Sequence, residues 1–453
     1  MQLEMSSINS FLSRVREFTR RLYSSLRGAH VRVVSHLDAD GLSSAGIMIS
    51  VLRGLNIPFH LSVVKYVSES LVEELRRGNY SVYLFLDLGS GDLELLRSLD
   101  GSVFIVDHHK PPSDVSGVNL LNPFLDGVDG DREISSSGIC FLIYKEIFGE
   151  ISMAPVALVG ALGDVQENGG FKGINELILN WAVEGGLIEV KKDIRLFGGP
   201  DYPLVASLER TVDPFIKGVS NDSAGALGLV ESAGIPIKIG EKWVTLSDLT
   251  EEQKRDLMNE LVKRVGNLDK AKSLVGSIYV NLREPKGSPL RDLSSFSTLL
   301  NACGRMGKGY LGALLASGLR GEVLNRVVEV QQEYKSYLAR LLSDLKPRIV
   351  GKVAFIDEGV AQDTVIGTLT SMLSRNMRDV ELIVGYAETQ EGMLKVSARL
   401  TTRASQSLDL DDVMRRASST VGGRGGGHRQ AAGAQIPRTM KRDFEESLLS
   451  YLE

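Results

Sequence analysis

Six histidines occur in the 453 residues, and four of them stand beside aspartates or glycines. The first cluster is Ser35-His36-Leu37-Asp38-Ala39-Asp40-Gly41. In an extended chain alternate side chains share one side, so His36, Asp38 and Asp40 would point together. Neighbouring carboxylates repel unless a cation lies between them, and gathering three such groups in a core is costly. The bland reading is helix capping by Asp38 or Asp40. Asp87 ends the apolar run Tyr83-Leu84-Phe85-Leu86 and precedes the turn Gly89-Ser90-Gly91. Asp107-His108-His109 ends a second such run, and Asp164 follows Gly163 at the close of an apolar helical stretch. Alone, Asp87 or Asp164 reads as a cap or turn residue; beside the other clusters, each reads as a ligand.

Mixed carboxylate and imidazole donors suit Mn²⁺, whereas Mg²⁺ usually takes an all-oxygen shell and structural zinc usually takes thiolate. More than one histidine with at least four aspartates exceeds what a single ion needs. A pair of ions about 3.5–4 Å apart is the natural account, and its chemistry is phosphoester hydrolysis without a protein nucleophile. A rival reading takes Asp87-Leu88-Gly89-Ser90-Gly91 as the glycine loop of an S-adenosylmethionine-dependent methyltransferase, with Asp107 on the ribose. It leaves His36, Asp38, Asp40, His108, His109 and Asp164 without a role.

A last cluster is Gly422-Gly423-Arg424-Gly425-Gly426-Gly427-His428-Arg429. Five glycines in six residues let backbone amides approach an anion, with His428 and the arginines supplying charge. Nearby, Ser397 and Arg399 fall on one face of an expected strand. Residues 399–442 hold nine Lys plus Arg against three Asp, a local +6 in a chain of net charge −5. That asymmetry fits a groove for a phosphate backbone. The bland reading is a glycine hinge with a solvated basic face.

Elements must position these groups. Residues 31–36, 60–64, 83–88 and 103–107 read as strands, separated by helical patterns at 43–54, 68–77 and 92–99. That alternation means βαβ units and a parallel sheet, whose ligand site lies beyond the carboxyl ends of the strands. Residues 2–30 are rich in Arg and Ser, yet Ile8, Phe11, Leu12, Val15, Leu22 and Leu26 recur at helical spacing, so a packed amphipathic helix is expected there. Residues 196–290 have loop clusters, a charged helix at 250–265 and no metal-type constellation, and read as a helical or mixed insert. Residues 321–346 read as one long linking helix. Strands at 353–357, 381–386 and 394–400, a helix at 409–419 and the segment 421–437 complete a smaller α/β domain. The expected division is thus 1–195, 196–290, 291–346 and 347–453.

Composition bounds the rest. Apolar residues are 43% and charged ones 24%, which excludes a wholly disordered chain. Mild net acidity argues against a polycation that coats nucleic acid generally. The longest nearly uncharged apolar run, 153–163, is far short of the ~20 residues a spanning helix needs. Two cysteines, Cys140 and Cys303, make no disulfide framework and point to a reducing, cytoplasmic compartment.

Taken in order, His36-x-Asp38-x-Asp40-Gly41, Asp87, Asp107-His108-His109 and Gly163-Asp164 resemble the signatures of the DHH-type phosphoesterases. Ser397-Ala398-Arg399 and Gly425-Gly426-Gly427-His428 resemble those of the DHH-associated C-terminal domain. Chain length, the insert and the stretch 296–307 are most similar to archaeal RecJ-like proteins, including the GINS-associated nuclease type. The resemblance implies an α/β fold, a parallel-sheet catalytic domain joined to a smaller C-terminal substrate-binding domain. It implies that His36, Asp38 and Asp87 hold one Mn²⁺ and that Asp40, Asp87, His108 and Asp164 hold another, with Mg²⁺ a substitute. His109 would touch the scissile phosphate, Asp107 would orient the imidazoles, and Ser397, Arg399, His428 and the amides of Gly425, Gly426 and Gly427 would bind substrate. The implied activity is 5′→3′ exonuclease action on single-stranded DNA in replication or repair, extending to RNA, with the GINS complex and the replicative helicase as partners. Two other readings share the motifs: an oligoribonucleotide or cyclic-dinucleotide phosphodiesterase, and a replisome scaffold. Nothing resembles the extra oligonucleotide-binding barrel of bacterial RecJ, so strand grip would need another source.

Overall fold

The computed structural model describes residues 2–452 except 212–215, 266–273, 378, 390–391, 402 and 405–407. The chain forms two compact units, 1–332 and 333–453, and the division falls inside the helix Glu322–Asp344.

The first unit is built on strands β1 (Val31–His36), β2 (Phe59–Val64), β3 (Val82–Leu86), β4 (Ser102–Val106) and β5 (Asn119–Leu121). They form one parallel sheet in the order β2-β1-β3-β4-β5. β3 is buried at every position, and the two-residue period sends Leu84 and Leu86 to one core and Tyr83 and Phe85 to another. Two-sided burial is what a wholly parallel sheet requires. Helices α1 (Gln2–Ser25) and α2 (Ala39–Gly54) contribute to the first core. Helices α3 (Glu69–Arg77) and α4 (Leu93–Leu96) contribute to the second, and α5 (Ser136–Phe148) and α6 (Ala154–Gly163) return to the first. In α1, Phe11, Val15 and Leu22 are buried, as is Leu26 just beyond it, and Phe18 meets Phe104 edge to face at 5.5 Å.

Helix α7 (Gly173–Glu184) leads into β6 (Ile188–Ile194). Beyond it, α8 (Leu204–Arg210), α9 (Ser223–Ser232), the hairpin of β7 (Lys238–Ile239) and β8 (Lys242–Trp243), and α10 (Glu251–Val265) follow. A separate small core of Leu208, Leu229, Leu246, Leu257 and Leu261 forms here. β9 (Val275–Asn281) then pairs antiparallel with the whole of β6. Three helices close the unit or leave it: α11 (Leu293–Arg305), α12 (Gly309–Ala316) and α13 (Glu322–Asp344).

The second unit holds β10 (Arg348–Val350), β11 (Val353–Ile356), α14 (Ile366–Asn376), β12 (Leu382–Glu388), β13 (Met393–Leu400), α15 (Leu410–Ser419), β14 (Arg424–His428), β15 (Ala431–Pro437) and α16 (Lys441–Ser450). Its sheet order is β10-β11-β12-β13-β15-β14. The glycine segment, read from the sequence as an anion cradle or a hinge, is an edge strand. Its glycines serve close packing: a Cβ at Gly425 would strike the Met414 carbonyl of α15, and one at Gly427, where φ is +153°, would strike the backbone of Ala432. No helix among the described residues is long and apolar enough to cross a membrane.

Candidate metal centre

The strand order of the first sheet reverses between β1 and β3, and open parallel sheets form their crevice at such a reversal. His36 ends β1, Asp87 follows β3, and His36 Nδ1 lies 3.2 Å from Asp87 Oδ2. Asp87 is a non-glycine residue at φ +62°, a conformation that costs roughly 1–3 kcal/mol and recurs at functional sites. The turn explains why β3 stops at Leu86, two residues before the expected end.

The extended conformation expected through Asp40 stops at His36, since α2 starts at Ala39. Asp38 is its N-cap, accepting from the Gly41 amide at 3.0 Å, and it also lies 2.9 Å from His36 Nδ1. Asp38 thus caps α2 with one oxygen and turns the other to His36. Asp40, wholly buried in the first turn of α2, accepts from the amides of Ser136 and Ser137 at 2.7 and 3.0 Å. α6 packs so tightly here that a Cβ on Gly160 would strike Asp40 and Ser137. At its end Asp164 lies 3.2 Å from His108 Nε2.

The ring of His108 is fixed from behind. Its Nδ1 lies 2.7 Å from the Gly130 carbonyl, which can only accept, so Nδ1 carries the hydrogen. Its Nε2 is turned to Asp87 Oδ1 at 3.5 Å as well as to Asp164. Gln166 donates to the same carbonyl at 2.8 Å and accepts from Asn175 at 2.7 Å. His109 Nδ1 lies 2.7 Å from Asp107 Oδ1, and Asp107 Oδ2 accepts from the Ser90 amide at 2.9 Å. Asn122 holds the carbonyl of His109 at 2.8 Å, leaving the His109 side chain 59% exposed.

Three overlapping donor sets result: His36, Asp38 and Asp87; Asp40, Asp87, His108 and Asp164; and Asp87, His108 and His109. Within each set the ligand atoms lie within 4.8 Å of one another. Burial raises Asp87 well above the usual carboxylate range, and the charges of Asp38, Asp40 and Asp164 push it further. Burial and Asp40 likewise move Asp164 up to about 6. Burial alone would lower His108, but Asp164 and Asp87 raise it well above the ordinary imidazole value. In His109 the bond to Asp107 outweighs burial and raises it, while burial of Asp107 is outweighed by His109 and Ser90, which hold it at about 2.

Asp87 Oδ1, His108 Nε2 and Asp164 Oδ2 are buried without a hydrogen-bond partner. An orphaned buried acceptor costs about 1–3 kcal/mol, more when charged. Three of them facing one another, all nitrogen or oxygen, fit divalent cations of the Mn²⁺ or Mg²⁺ kind. The residues present therefore fit divalent cations, with Asp87 common to all three donor sets. Gln166, Asn175, Asn122, Ser90 and Asn301, whose Oδ1 accepts from the Ala39 amide at 3.1 Å, escape sequence reasoning. Only the run Ser135-Ser136-Ser137, a helix-start pattern, offered a signal.

In the second unit, β13, β15 and β14 put Arg399, Ala431 and His428 in one cross-strand row and Ser397, Gly433 and Gly426 in the next. Cross-strand neighbours share a face, so Ser397, Arg399 and His428 lie on the same side. Ser397 is buried and Arg399 Nε donates to Ser371 Oγ at 2.9 Å. The Gly427 amide is already committed, donating to Asp411 Oδ1 at 2.7 Å, which removes it from the expected anion cradle.

The DHH family N-terminal domain matches residues 30–162, the DHH-CID domain 196–275 and the DHHA1 domain 349–453. An uncharacterised protein of Methanocaldococcus jannaschii is 30% identical over 424 residues, which cover 92% of this chain and 91% of that one. RecJ of Thermus thermophilus in complex with Mn²⁺ superposes with a TM-score of 0.58 at 19% identity, covering 97% of this chain and 54% of RecJ. The chain thus spans about half the length of that RecJ. CDC45 of Entamoeba histolytica superposes with a TM-score of 0.59 at 14% identity, covering 96% of this chain and 98% of CDC45. With a RecJ-like fold and all three matched domains in order, this chain belongs to the DHH family.

Proposed function

We propose that this chain is a Mn²⁺-dependent phosphodiesterase that degrades single-stranded DNA from its 5′ end to mononucleotides in replication or repair, and that it also acts on RNA. The observation that carries the reading is the set of orphaned acceptors on Asp87, His108 and Asp164. His36, Asp38 and Asp87 would hold one ion and Asp40, Asp87, His108 and Asp164 the other. Such a pair, when bound, lowers the pKa of a water and withdraws charge from phosphorus.

The chain's own residues do the rest. Asp107 fixes the His109 ring through Nδ1, leaving its exposed Nε2 to meet the scissile phosphate. Gly130 and Gln166 hold His108 so that Nε2 faces the ions. Arg399, Ser397 and His428 offer charge and hydrogen bonds to substrate phosphates, with Gly426 in the cross-strand row of Ser397. The partners we propose are the GINS complex and the replicative helicase, in the cytoplasm. The insert offers them Ile239 and Trp243, both exposed on the β7–β8 hairpin.

The deciding experiment follows 5′- and 3′-labelled DNA and RNA strands, and dinucleotides, with Mn²⁺ or Mg²⁺. A ladder from the 5′ end of DNA that disappears in Asp87→Ala is the expected result. Preference for dinucleotides would establish the small-substrate phosphodiesterase instead, and an inactive wild type that still captures GINS would establish the scaffold.

A further inference from the structure

A second group of residues lies on the rim where β1 and β2 end. His36 is paired in register with Val64, so Lys65 and Tyr66 leave the sheet beside Leu37 and Asp38. The turn between α11 and α12 reaches the same rim. A Cβ on Gly304 would strike the Leu37 carbonyl, one on Gly309 would strike the Val63 side chain, and Asn301 accepts from the Ala39 amide. Arg305, Lys308 and Tyr310 are thereby held near the loop that carries Asp38.

Two aromatic rings are displayed there: Tyr66 is 39% and Tyr310 49% exposed. The ammonium of Lys65 lies 5.8 Å from the centre of the Tyr66 ring. Residues 59–68 and 301–321 contain no Asp or Glu, although the chain as a whole carries −5. Exposed aromatic faces beside cations are the composition that grips unpaired nucleic acid. Stacking needs a free base face, which a duplex hides inside its helix. It accepts every base, as an enzyme that advances along a strand requires.

We infer that Tyr66 and Tyr310 stack unpaired bases of the strand being cut, with Lys65, Arg305 and Lys308 on its phosphates. The inference rests on the phosphodiesterase reading of the adjacent metal centre. It supplies a strand grip beside the metal centre.

The test is fluorescence anisotropy of a short oligothymidylate with the full chain in chelator, where binding proceeds without cutting. Tyr66→Ala and Tyr310→Ala should each weaken binding by about five- to a hundredfold, whereas Tyr66→Phe and Tyr310→Phe should bind as wild type. On an abasic strand of equal length the Ala variants should match the wild type. Unchanged thymidylate affinity, or an equal loss on the abasic strand, overturns the inference. Hydrolysis of a dinucleotide by the wild type with Mn²⁺, measured separately, reports on the metal centre alone, so the two readings fail distinguishably.

Discussion

His108 presents Nε2 to Asp164 at 3.2 Å because the Gly130 carbonyl holds the opposite nitrogen at 2.7 Å. The ring cannot turn away from the carboxylates, and neither Asp87 nor Asp164 has another donor for the oxygen that faces it. Protons can relieve this arrangement, which is why burial and neighbouring acids drive Asp87 and Asp164 upward. Divalent cations would relieve it with every carboxylate still ionised, and without them the gathered buried charges cost stability.

The first expectation concerns that balance. Mn²⁺ at a hundredfold excess over its dissociation constant should stabilise the wild type by about 2.7 kcal/mol, read as a rise in melting temperature over the chelated protein. Asp87→Asn removes the carboxylate common to the three donor sets and one buried charge. Its chelated form should melt no lower than the chelated wild type, and added Mn²⁺ should leave it unmoved. A variant that still gained stability from Mn²⁺ would remove Asp87 from the centre.

Gln166 tests the support behind His108. Gln166→Leu is close in volume but leaves the Gly130 carbonyl with one donor fewer and Asn175 without its acceptor. Metal affinity should fall by about 10- to 100-fold with the fold retained, measured by Mn²⁺ titration and circular dichroism. Unaltered affinity would show that the Gly130 carbonyl alone fixes the ring.

How far these features were legible in the sequence depends on their range. Asp87 and Asp107 end buried apolar runs, and period-two burial with strand-ending acids made the parallel sheet and its crevice readable. Capping of α2 by Asp38 and ligation read as alternatives in the sequence, because one-dimensional spacing cannot show that one oxygen caps while the other faces a histidine. Gly425, Gly426 and Gly427 misled, since glycine freedom in a loop and glycine closeness in an edge strand leave the same trace; only the packing of α15 on Gly425 separates them. Gln166, Asn122 and Asn301 act across 36, 13 and 262 residues of chain, distances at which no local pattern speaks.

Val165 carries backbone strain that can be measured directly. It closes α6 with its amide on the Leu162 carbonyl at 3.1 Å and the Gln166 amide on Ala161 at 3.0 Å, a turn in which glycine normally takes the left-handed position. Here a β-branched residue, 73% exposed, holds φ +59°, so little packing offsets the cost. Val165→Gly should raise the stability of the chelated protein by about 1 kcal/mol, seen as a higher denaturant midpoint with an unchanged slope. A lower midpoint would mean that the valine is held by contacts worth more than the strain.

Acid sensitivity should come in part from Asp201. Burial would raise its carboxyl, but the Arg291 guanidinium at 2.6 Å outweighs burial, and Ser247 and Lys286 add to the effect, so its value lies below the ordinary carboxylate range. A group whose folded value is depressed binds its proton more readily in the unfolded chain. Its contribution is therefore complete above the unfolded value near 3.9 and is lost as pH falls through the lower folded one. Asp201→Asn should melt below the wild type at neutral pH. Between about pH 5 and pH 2 its melting temperature should fall less steeply than that of the wild type, closing the gap between them. Parallel curves across that range would show that Asp201 and Arg291 contribute packing but no proton-linked stability.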